Sequence, residues 1–222
     1  MKQEEGIIGR AVGGMIRRTV KSRLRNLYWS PPKDPLKQPV IFYANHHGWL
    51  DGYLMFEALT KLDIRFLDWI EEFDSFPLFS KVGGMRFAKG DLIGRANTVR
   101  TTIKTMRAES RSLILFPEGI LHRPPSLLPF GRSLEVVANK VPKASLVPVA
   151  IYYELSMHER PEAWLSFGEP HHFESMIHCE NTLRQQFESL RASVGNQDSF
   201  QVLAKGTPSV NERMSMKRFR KQ

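Results

Sequence analysis

Short apolar segments alternate with helical patterns along most of this sequence, and the alternation restricts the fold more than any other feature. Apolar runs bounded by turn residues predict buried strands. They cover residues 40–44, 64–69, 85–88, 113–116, 146–153 and 164–167. Helical patterns cover residues 52–61, 76–81, 96–109, 133–140 and 180–193. The 222 residues suffice for one sizeable domain, and the alternation predicts an α/β sheet covered by helices on both faces.

The N-terminal residues carry the pattern of a basic amphipathic helix that begins at Ile7 and ends at Tyr28. Apolar residues recur every four positions from Ile8 onward, whereas most arginines and lysines lie off that stripe. Such a helix can lie in a membrane interface with its apolar side among the lipids. The alternative is a solvated helix that packs on the domain through the same stripe. The prolines within residues 31–39 then predict a stiff linker.

Positive charge is concentrated at the two ends of the chain. Residues 1–30 carry seven Lys/Arg and two acids, and residues 205–222 carry six Lys/Arg and one acid, so each end is +5. The total is +9, which leaves the body of the chain at −1. Basic ends on a nearly neutral body predict contact with an anionic surface, either a membrane or a nucleic acid. We expect residues 1–30 to form a membrane-associating helix and residues 196–222 a basic tail.

Hydropathy and cysteine content restrict where the protein works. No apolar run approaches the roughly 18 residues of a membrane-spanning helix, and arginines interrupt the first apolar stretch, so no secretory signal stands out. The single cysteine, Cys179, excludes an intramolecular disulfide and suits a reducing compartment. We therefore expect a peripheral protein on the cytoplasmic face of a membrane.

A cluster of reactive side chains follows the strand predicted at residues 40–44. It reads Asn-His-His-Gly-Trp-Leu-Asp from Asn45 to Asp51, and it opens the next predicted helix. The ends of strands in α/β sheets are common positions for active sites. If His46 lies in the turn and Asp51 in the first helical turn, the carboxylate can orient the imidazole and raise its basicity. The pair would then act as a general base; the alternative is that Asp51 only caps the helix.

A second cluster, Phe-Pro-Glu-Gly from Phe116 to Gly119, ends the strand predicted at residues 113–116. Proline and glycine fix the turn that holds Glu118 over the end of the sheet. The alternative is that Glu118 is a solvated loop residue.

An N-H-x-x-x-x-D motif followed by F-P-E-G resembles the motifs of the glycerolipid acyltransferase family, which includes the PlsC-type lysophosphatidate acyltransferases. Weaker similarities occur in the blocks that begin at Gly84, Leu146 and Phe167. The resemblance covers roughly residues 38–195, and it implies a central mixed, largely parallel sheet covered by helices. We accordingly expect an acyltransferase domain at residues 40–195.

The resemblance implies acyl transfer from a thioester, either acyl-CoA or acyl carrier protein, to a lipid hydroxyl, with no metal ion or further cofactor. His46 would take the proton of the hydroxyl, and Asp51 would orient His46. Glu118 would position the hydroxyls of the acceptor, and backbone amides near Gly48 or Gly119 would stabilise the oxyanion. The expected partners are membrane lipids, through the N-terminal helix and the basic tail, and acyl carrier protein.

The chain departs from the family pattern at two arginines that are associated in the family with the phosphate of the acceptor. Gly90 stands where the first is usual, and Ile120 and Leu121 stand where Thr-Arg follows the second motif. The cations near these positions in sequence are Arg86, Lys89, His122 and Arg123. These side chains could bind substrate in place of the arginines. We expect the acceptor to be a lysophospholipid or a related lipid.

Two functions of other classes fit parts of the sequence. A catalytically inactive, membrane-associated scaffold would keep the same fold. A nucleic-acid-binding protein would use the basic ends, although no recognised binding motif occurs and the body is nearly neutral. A metal hydrolase is disfavoured because the H-E-x-x-H pattern is absent.

Overall fold

An eight-stranded sheet forms the centre of the computed structural model, which describes residues 3, 4, 6–155, 157–196 and 199–214. The strands are β1 (Asn26–Ser30), β2 (Val40–Ala44), β3 (Phe66–Ile70), β4 (Gly84–Arg86), β5 (Ser112–Leu115), β6 (Ser145–Glu154), β7 (Glu162–Phe167) and β8 (Gln201–Lys205). Their order across the sheet is β4-β3-β5-β2-β6-β7-β1-β8.

The sheet is mixed but largely parallel. Strands β4, β3, β5, β2 and β6 run parallel to one another, whereas β7 is antiparallel to β6, β1 is parallel to β7, and β8 is antiparallel to β1. The five parallel strands therefore end on one side of the sheet, which we call its carboxyl end. The predicted α/β fold with a mixed, largely parallel sheet is confirmed.

Helices cover both faces of this sheet. They are α1 (Gly6–Arg23), α2 (Asp51–Lys61), α3 (Leu92–Glu109), α4 (Ser133–Lys140), α5 (Met176–Ser193) and α6 (Val210–Arg213), and two 3-10 segments lie at Phe73–Ser75 and Pro77–Val82. Side chains alternate along β2, so Phe42 packs in the core under α1 and α2, whereas Ile41 and Tyr43 pack under α3, α4 and α5. Among the described residues, no helix is both long and apolar enough to cross a membrane.

The N-terminal helix is shorter than predicted, and its apolar stripe is buried from Val12 onward. It ends at Arg23, and the chain then forms β1, which lies between β7 and β8. Val12, Ile16 and Val20 pack in the core of the domain, which is the alternative that the pattern left open. The four-residue spacing that continued to Tyr28 concealed the change from helix to strand, because Tyr28 is buried in the sheet.

The segment predicted as a basic tail contributes to the fold. Within residues 196–222, β8 pairs with β1, and a capping box of Ser209 and Glu212 begins α6. Glu212 also forms an ion pair with Arg25 at 2.6 Å. Residues 215–222 of the predicted tail lie outside the described residues. The predicted linker at 31–39 joins β1 to β2, so both of its ends lie in the same sheet.

Candidate active site

Three neighbouring strands bring the reactive residues together at the carboxyl end of the sheet. His46 follows β2, Glu118 follows β5, and Tyr153 lies near the end of β6; β2 lies between the other two. The buried Asn45 fixes the turn after β2, since its side chain forms hydrogen bonds of 2.8 and 2.9 Å with the backbone N and O of Ile151. The turn is thereby attached to β6 as well as to β2, which holds His46 rigidly.

His46 and Asp51 form the pair that the sequence predicts. The imidazole Nδ1 lies 2.9 Å from Asp51 Oδ2, and the Asp51 side chain is 0% exposed. Two further donors hold this carboxylate: the backbone N–H of Gly48 donates to Oδ2 at 2.9 Å, and the Tyr153 hydroxyl donates to Oδ1 at 2.6 Å. A buried carboxylate needs such partners to remain charged. Asp51 is therefore held in place as a hydrogen-bond acceptor for the imidazole.

The surroundings of His46 leave its other nitrogen available. The carboxylate on Nδ1 favours the tautomer with the proton on Nδ1, which makes Nε2 a proton acceptor. Among the described residues, Nε2 has no hydrogen-bond partner, and the side chain is 25% exposed. The ring stacks on Phe116, with centroids 4.4 Å apart and planes inclined by 22°. Burial and the neighbouring Asp51 raise the pKa of Tyr153 well above its usual value, so Tyr153 remains a donor.

Glu118 is buried, and its contacts are with the protein itself. Oε1 accepts the backbone N–H of His46 at 2.9 Å, and Oε2 accepts the backbone N–H of Leu128 at 2.6 Å. Oε2 also lies 2.6 Å from Nε2 of His122, whose backbone N–H donates to the carbonyl of His46 at 3.1 Å. The sequence led us to expect Glu118 to contact the acceptor; in the structure it holds the turn of His46 against the loop that follows β5.

The two glycines near which the oxyanion donors were expected use their own amides internally. The N–H of Gly48 donates to Asp51, and the N–H of Gly119 donates to the carbonyl of Phe116 at 3.0 Å. Gly119 has φ of 75°, a left-handed conformation that favours glycine and closes the turn after Glu118. Both glycines therefore shape the turns around the site.

His47, Glu118 and His122 form a compact group beside the pair. Their ligand-type atoms all lie within 4.8 Å of one another, and two histidines with a carboxylate are a set that zinc uses. However, His47 Nε2 lies 3.1 Å from the carbonyl of Ser126, and its Nδ1 lies 3.1 Å from the amide nitrogen of Asn45. Burial lowers the pKa of His47. The group is a hydrogen-bonded network that joins the two loops, and metal binding would break several of its bonds.

Asp68 is a second acid near His46, and sequence reasoning missed it. It lies on β3, and its Oδ2 is 3.3 Å from the position that a Cβ on Gly52 would occupy, beneath the first turn of α2. Burial raises the pKa of Asp68 to about 7, and the positive charge that His46 can carry acts in the opposite direction. An acid inside an otherwise apolar strand was the signal that could have identified it.

The three predicted substrate-binding cations make no contact with the pair in the described part of the chain. Arg86 ends β4, which β3 and β5 separate from β2, and it forms ion pairs with Asp74 at 2.8 Å and Asp91 at 2.5 Å. Lys89 and Arg123 are exposed in loops at the carboxyl end of the sheet. In the described part of the chain, none of the three side chains forms a hydrogen bond or ion pair with His46, Asp51 or Glu118.

Comparisons with known proteins agree with the motifs and the fold. The acyltransferase family model matches residues 19–152, which is more than half of the chain. The fold is similar to the crystal structure of PlsC, the 1-acyl-sn-glycerophosphate (LPA) acyltransferase from Thermotoga maritima, with a TM-score of 0.62. Sequence identity is 19%, and the likeness covers 82% of this chain and 80% of that one. A search of curated protein sequences gives no match.

Proposed function

Since the chain belongs to the acyltransferase family, we propose that it transfers a fatty acyl group from a thioester donor to a hydroxyl of a lysophospholipid or related lipid at a membrane surface. The donor is acyl-CoA or an acylated carrier protein. The observation that carries this proposal is the His46–Asp51 contact of 2.9 Å, with Asp51 fully buried and held by two further donors.

The proposed reaction is a direct attack of the acceptor on the thioester. His46 Nε2 takes the proton as the hydroxyl oxygen forms a bond with the carbonyl carbon, and Asp51 stabilises the imidazolium. The carbon–sulfur bond then breaks, and the imidazolium gives its proton to the sulfur that leaves. General-base assistance of this kind contributes about 10²- to 10⁴-fold in rate. Tyr153 and Glu118 act through His46 as positioning residues.

The charges around the pair favour an acceptor without a phosphate monoester. Gly90, Ile120 and Leu121 replace the family arginines, and two carboxylates already occupy Arg86. Asp68 adds negative charge near His46 whenever it is ionised, which opposes binding of a dianionic phosphate. A lysophospholipid whose phosphate carries a further head group has less charge to accommodate.

The membrane contact is proposed to lie at the carboxyl end of the sheet. Large apolar side chains are exposed in loops and helix starts that follow β2, β4, β5 and β6: Trp49, Leu92, Ile93, Ile120, Leu121, Leu155 and Met157. Exposed cations, among them Lys89 and Arg123, lie in the same loops. Protruding apolar residues mixed with cations suit the surface of an anionic membrane, on its cytoplasmic face in our proposal. The acceptor could then reach His46 from the bilayer.

The test is acyl transfer by the purified protein from radiolabelled long-chain acyl-CoA. The acceptors are lysophosphatidate, lysophospholipids with head groups, and glycolipids, each supplied in vesicles. We expect transfer to the head-grouped acceptors, and a loss of at least about 100-fold in His46→Ala, because the general base is removed. His172→Ala, which changes an exposed histidine outside the site, serves as the control.

Each other outcome changes the proposal in a defined way. Transfer that survives in His46→Ala would exclude this histidine as the base. Preference for lysophosphatidate would contradict our inference from the missing arginines. No transfer from either acyl-CoA or acylated carrier protein would favour the inactive scaffold.

A further inference from the structure

The carboxylate of Asp68 lies near the site but takes no step in the proposed reaction. Within the described ranges its side chain forms no hydrogen bond and no ion pair, whereas the carboxylates of Asp51 and Glu118 each contact three partners. A carboxylate without a partner in apolar surroundings destabilises the fold when it is charged. Asp68 is only half-buried, so a ligand can reach it and supply the missing partner.

Aromatic side chains flank this carboxylate. Oδ2 of Asp68 faces Gly52, the residue before Tyr53 on α2. On the other side, Asp68 pairs with Gly84 of β4, and Phe79 fills the space that a Cβ on Gly84 would need. The rings of Tyr53 and Phe79 have centroids 6.1 Å apart. The three side chains of Asp68, Tyr53 and Phe79 therefore border one crevice between the start of α2 and the second 3-10 segment.

The mouth of this crevice lies beside His46. Trp49 follows His46 in the same turn and packs edge-on against Tyr53, with centroids 5.3 Å apart, and it is 70% exposed. The positive charge that His46 can carry also acts on Asp68. A substrate whose hydroxyl lies at Nε2 of His46 can therefore place another of its groups against Asp68.

Charge decides which group fits the crevice. Burial and the charge of His46 are what shift the pKa of Asp68, so no lysine or arginine of the described chain offsets its charge. The cation on the adjacent strand, Arg86, is held by Asp74 and Asp91. An ionised carboxylate attracts cations, and the faces of aromatic rings bind quaternary ammonium ions in particular. Both parts of the crevice therefore favour an ammonium ion, whereas an acyl chain would leave Asp68 without a partner.

Accordingly, we propose that this crevice binds the ammonium ion of the acceptor's head group, and that Asp68 is the residue that selects for it; the inference rests on the proposed function. The acceptor is then a zwitterionic lysophospholipid, whose head group is choline or ethanolamine. Its phosphate and ammonium charges cancel, which agrees with a site that lacks the family arginines. The ammonium ion supplies the partner that Asp68 lacks within the described chain, and Tyr53 and Phe79 contact it through their rings.

The test compares two acceptors that carry the same acyl chain but different head groups, choline and glycerol, in vesicles of one composition. We would measure kcat/KM for each acceptor at pH 8, where Asp68 is largely ionised. Asp68→Asn is expected to lower the value for the choline acceptor about tenfold, because it removes the charge opposite the ammonium ion. Phe79→Leu is expected to lower it about threefold, because the ring face is lost. Asp34→Asn makes the same change of charge at an exposed position, and this matched control is expected to keep the ratio of the two values unchanged.

A binding measurement accompanies the kinetics. Calorimetric titration of the full chain with a short-chain lysophosphatidylcholine, below its micelle concentration, is expected to give saturable binding at pH 8. We expect about tenfold weaker binding in Asp68→Asn and unchanged binding in Asp34→Asn. Absence of saturable binding, or equal binding in the two variants, would overturn the inference independently of turnover.

The glycerol acceptor separates the inference from its alternatives. If Asp68→Asn only raises the value for the glycerol acceptor, Asp68 repels the phosphate and binds no ammonium ion, which overturns the inference. Equal losses with both acceptors would assign the crevice to folding or to the acyl chain and would also overturn it. A chain that acylates both acceptors equally well contradicts the inference and leaves the proposed function intact. A chain that acylates no acceptor contradicts both proposals.

Discussion

At the scale of single residues, the structure explains why two side chains five positions apart can act as a unit. Asp51 is the first residue of α2, and it turns its carboxylate back to the N–H of Gly48 and the ring of His46. Tyr153 completes the arrangement from β6, and its ring occupies the space that a Cβ on Gly48 would need. Glycine is therefore required there so that the tyrosine can reach Asp51.

Asp68 leads to a prediction about stability and pH. Its pKa of about 7 in the folded protein exceeds the usual 3.8. Between these two pH values the folded state therefore binds more protons than the unfolded state. Because of this, the stability of the fold falls as the pH rises from about 4 to about 7. Asp68→Asn removes this titration. As the pH rises from 5 to 8, we expect the free energy of unfolding of the variant to increase by about 1 to 3 kcal/mol relative to that of the unchanged protein.

Urea unfolding at pH 5 and pH 8 would measure this gain. Asp34→Asn, at an exposed position, is the control and is expected to show no pH-dependent gain. An equal effect of Asp68→Asn at both pH values would show that Asp68 titrates normally in the folded protein.

At the scale of secondary-structure elements, the apolar stripe of α1 has two interpretations: it packs in the core of the domain, or it contacts the membrane. Ile16 is 2% exposed in the core, whereas its neighbour Met15 is 37% exposed. We expect Ile16→Ala to lower the free energy of unfolding by about 2 to 4 kcal/mol, because it leaves a cavity between α1 and the domain. Met15→Ala is expected to change it by less than about 1 kcal/mol in urea unfolding. Unchanged stability with weaker vesicle binding in Ile16→Ala would instead place the stripe in the membrane.

The elements also show how far the sequence alone predicts the structure. Strand β2 was predicted to the residue because all of its residues are buried and apolar. Strand β8 was missed because its apolar run, from Val202 to Ala204, is only three residues long and none of its residues is fully buried. His46 and Glu118 were found because local motifs carry them. Tyr153 was missed because its contact with Asp51 spans 102 positions and depends on β2 lying beside β6.

At the scale of the whole molecule, large apolar side chains are exposed at both ends of the sheet, and this leads to the last prediction. Ile93 and Ile177 are each the second residue of an 18-residue helix, and both are largely exposed. Helix α3 begins at the carboxyl end of the sheet. Helix α5 begins at the opposite end, where His171 pairs with Leu146 near the start of β6. The two isoleucines thus form a matched pair at opposite ends of the molecule.

Only the carboxyl end is expected to contact lipid. Ile93→Glu should weaken binding to anionic phospholipid vesicles about tenfold in a sedimentation assay, because it replaces an inserted apolar side chain by a charge that the lipids repel. Ile177→Glu makes the same change at the other end and should leave vesicle binding within about twofold. A larger loss in Ile177→Glu would place the opposite end on the membrane. In that orientation a lipid acceptor would have to leave the bilayer to reach His46, so the vesicle assay also tests the route by which the substrate enters.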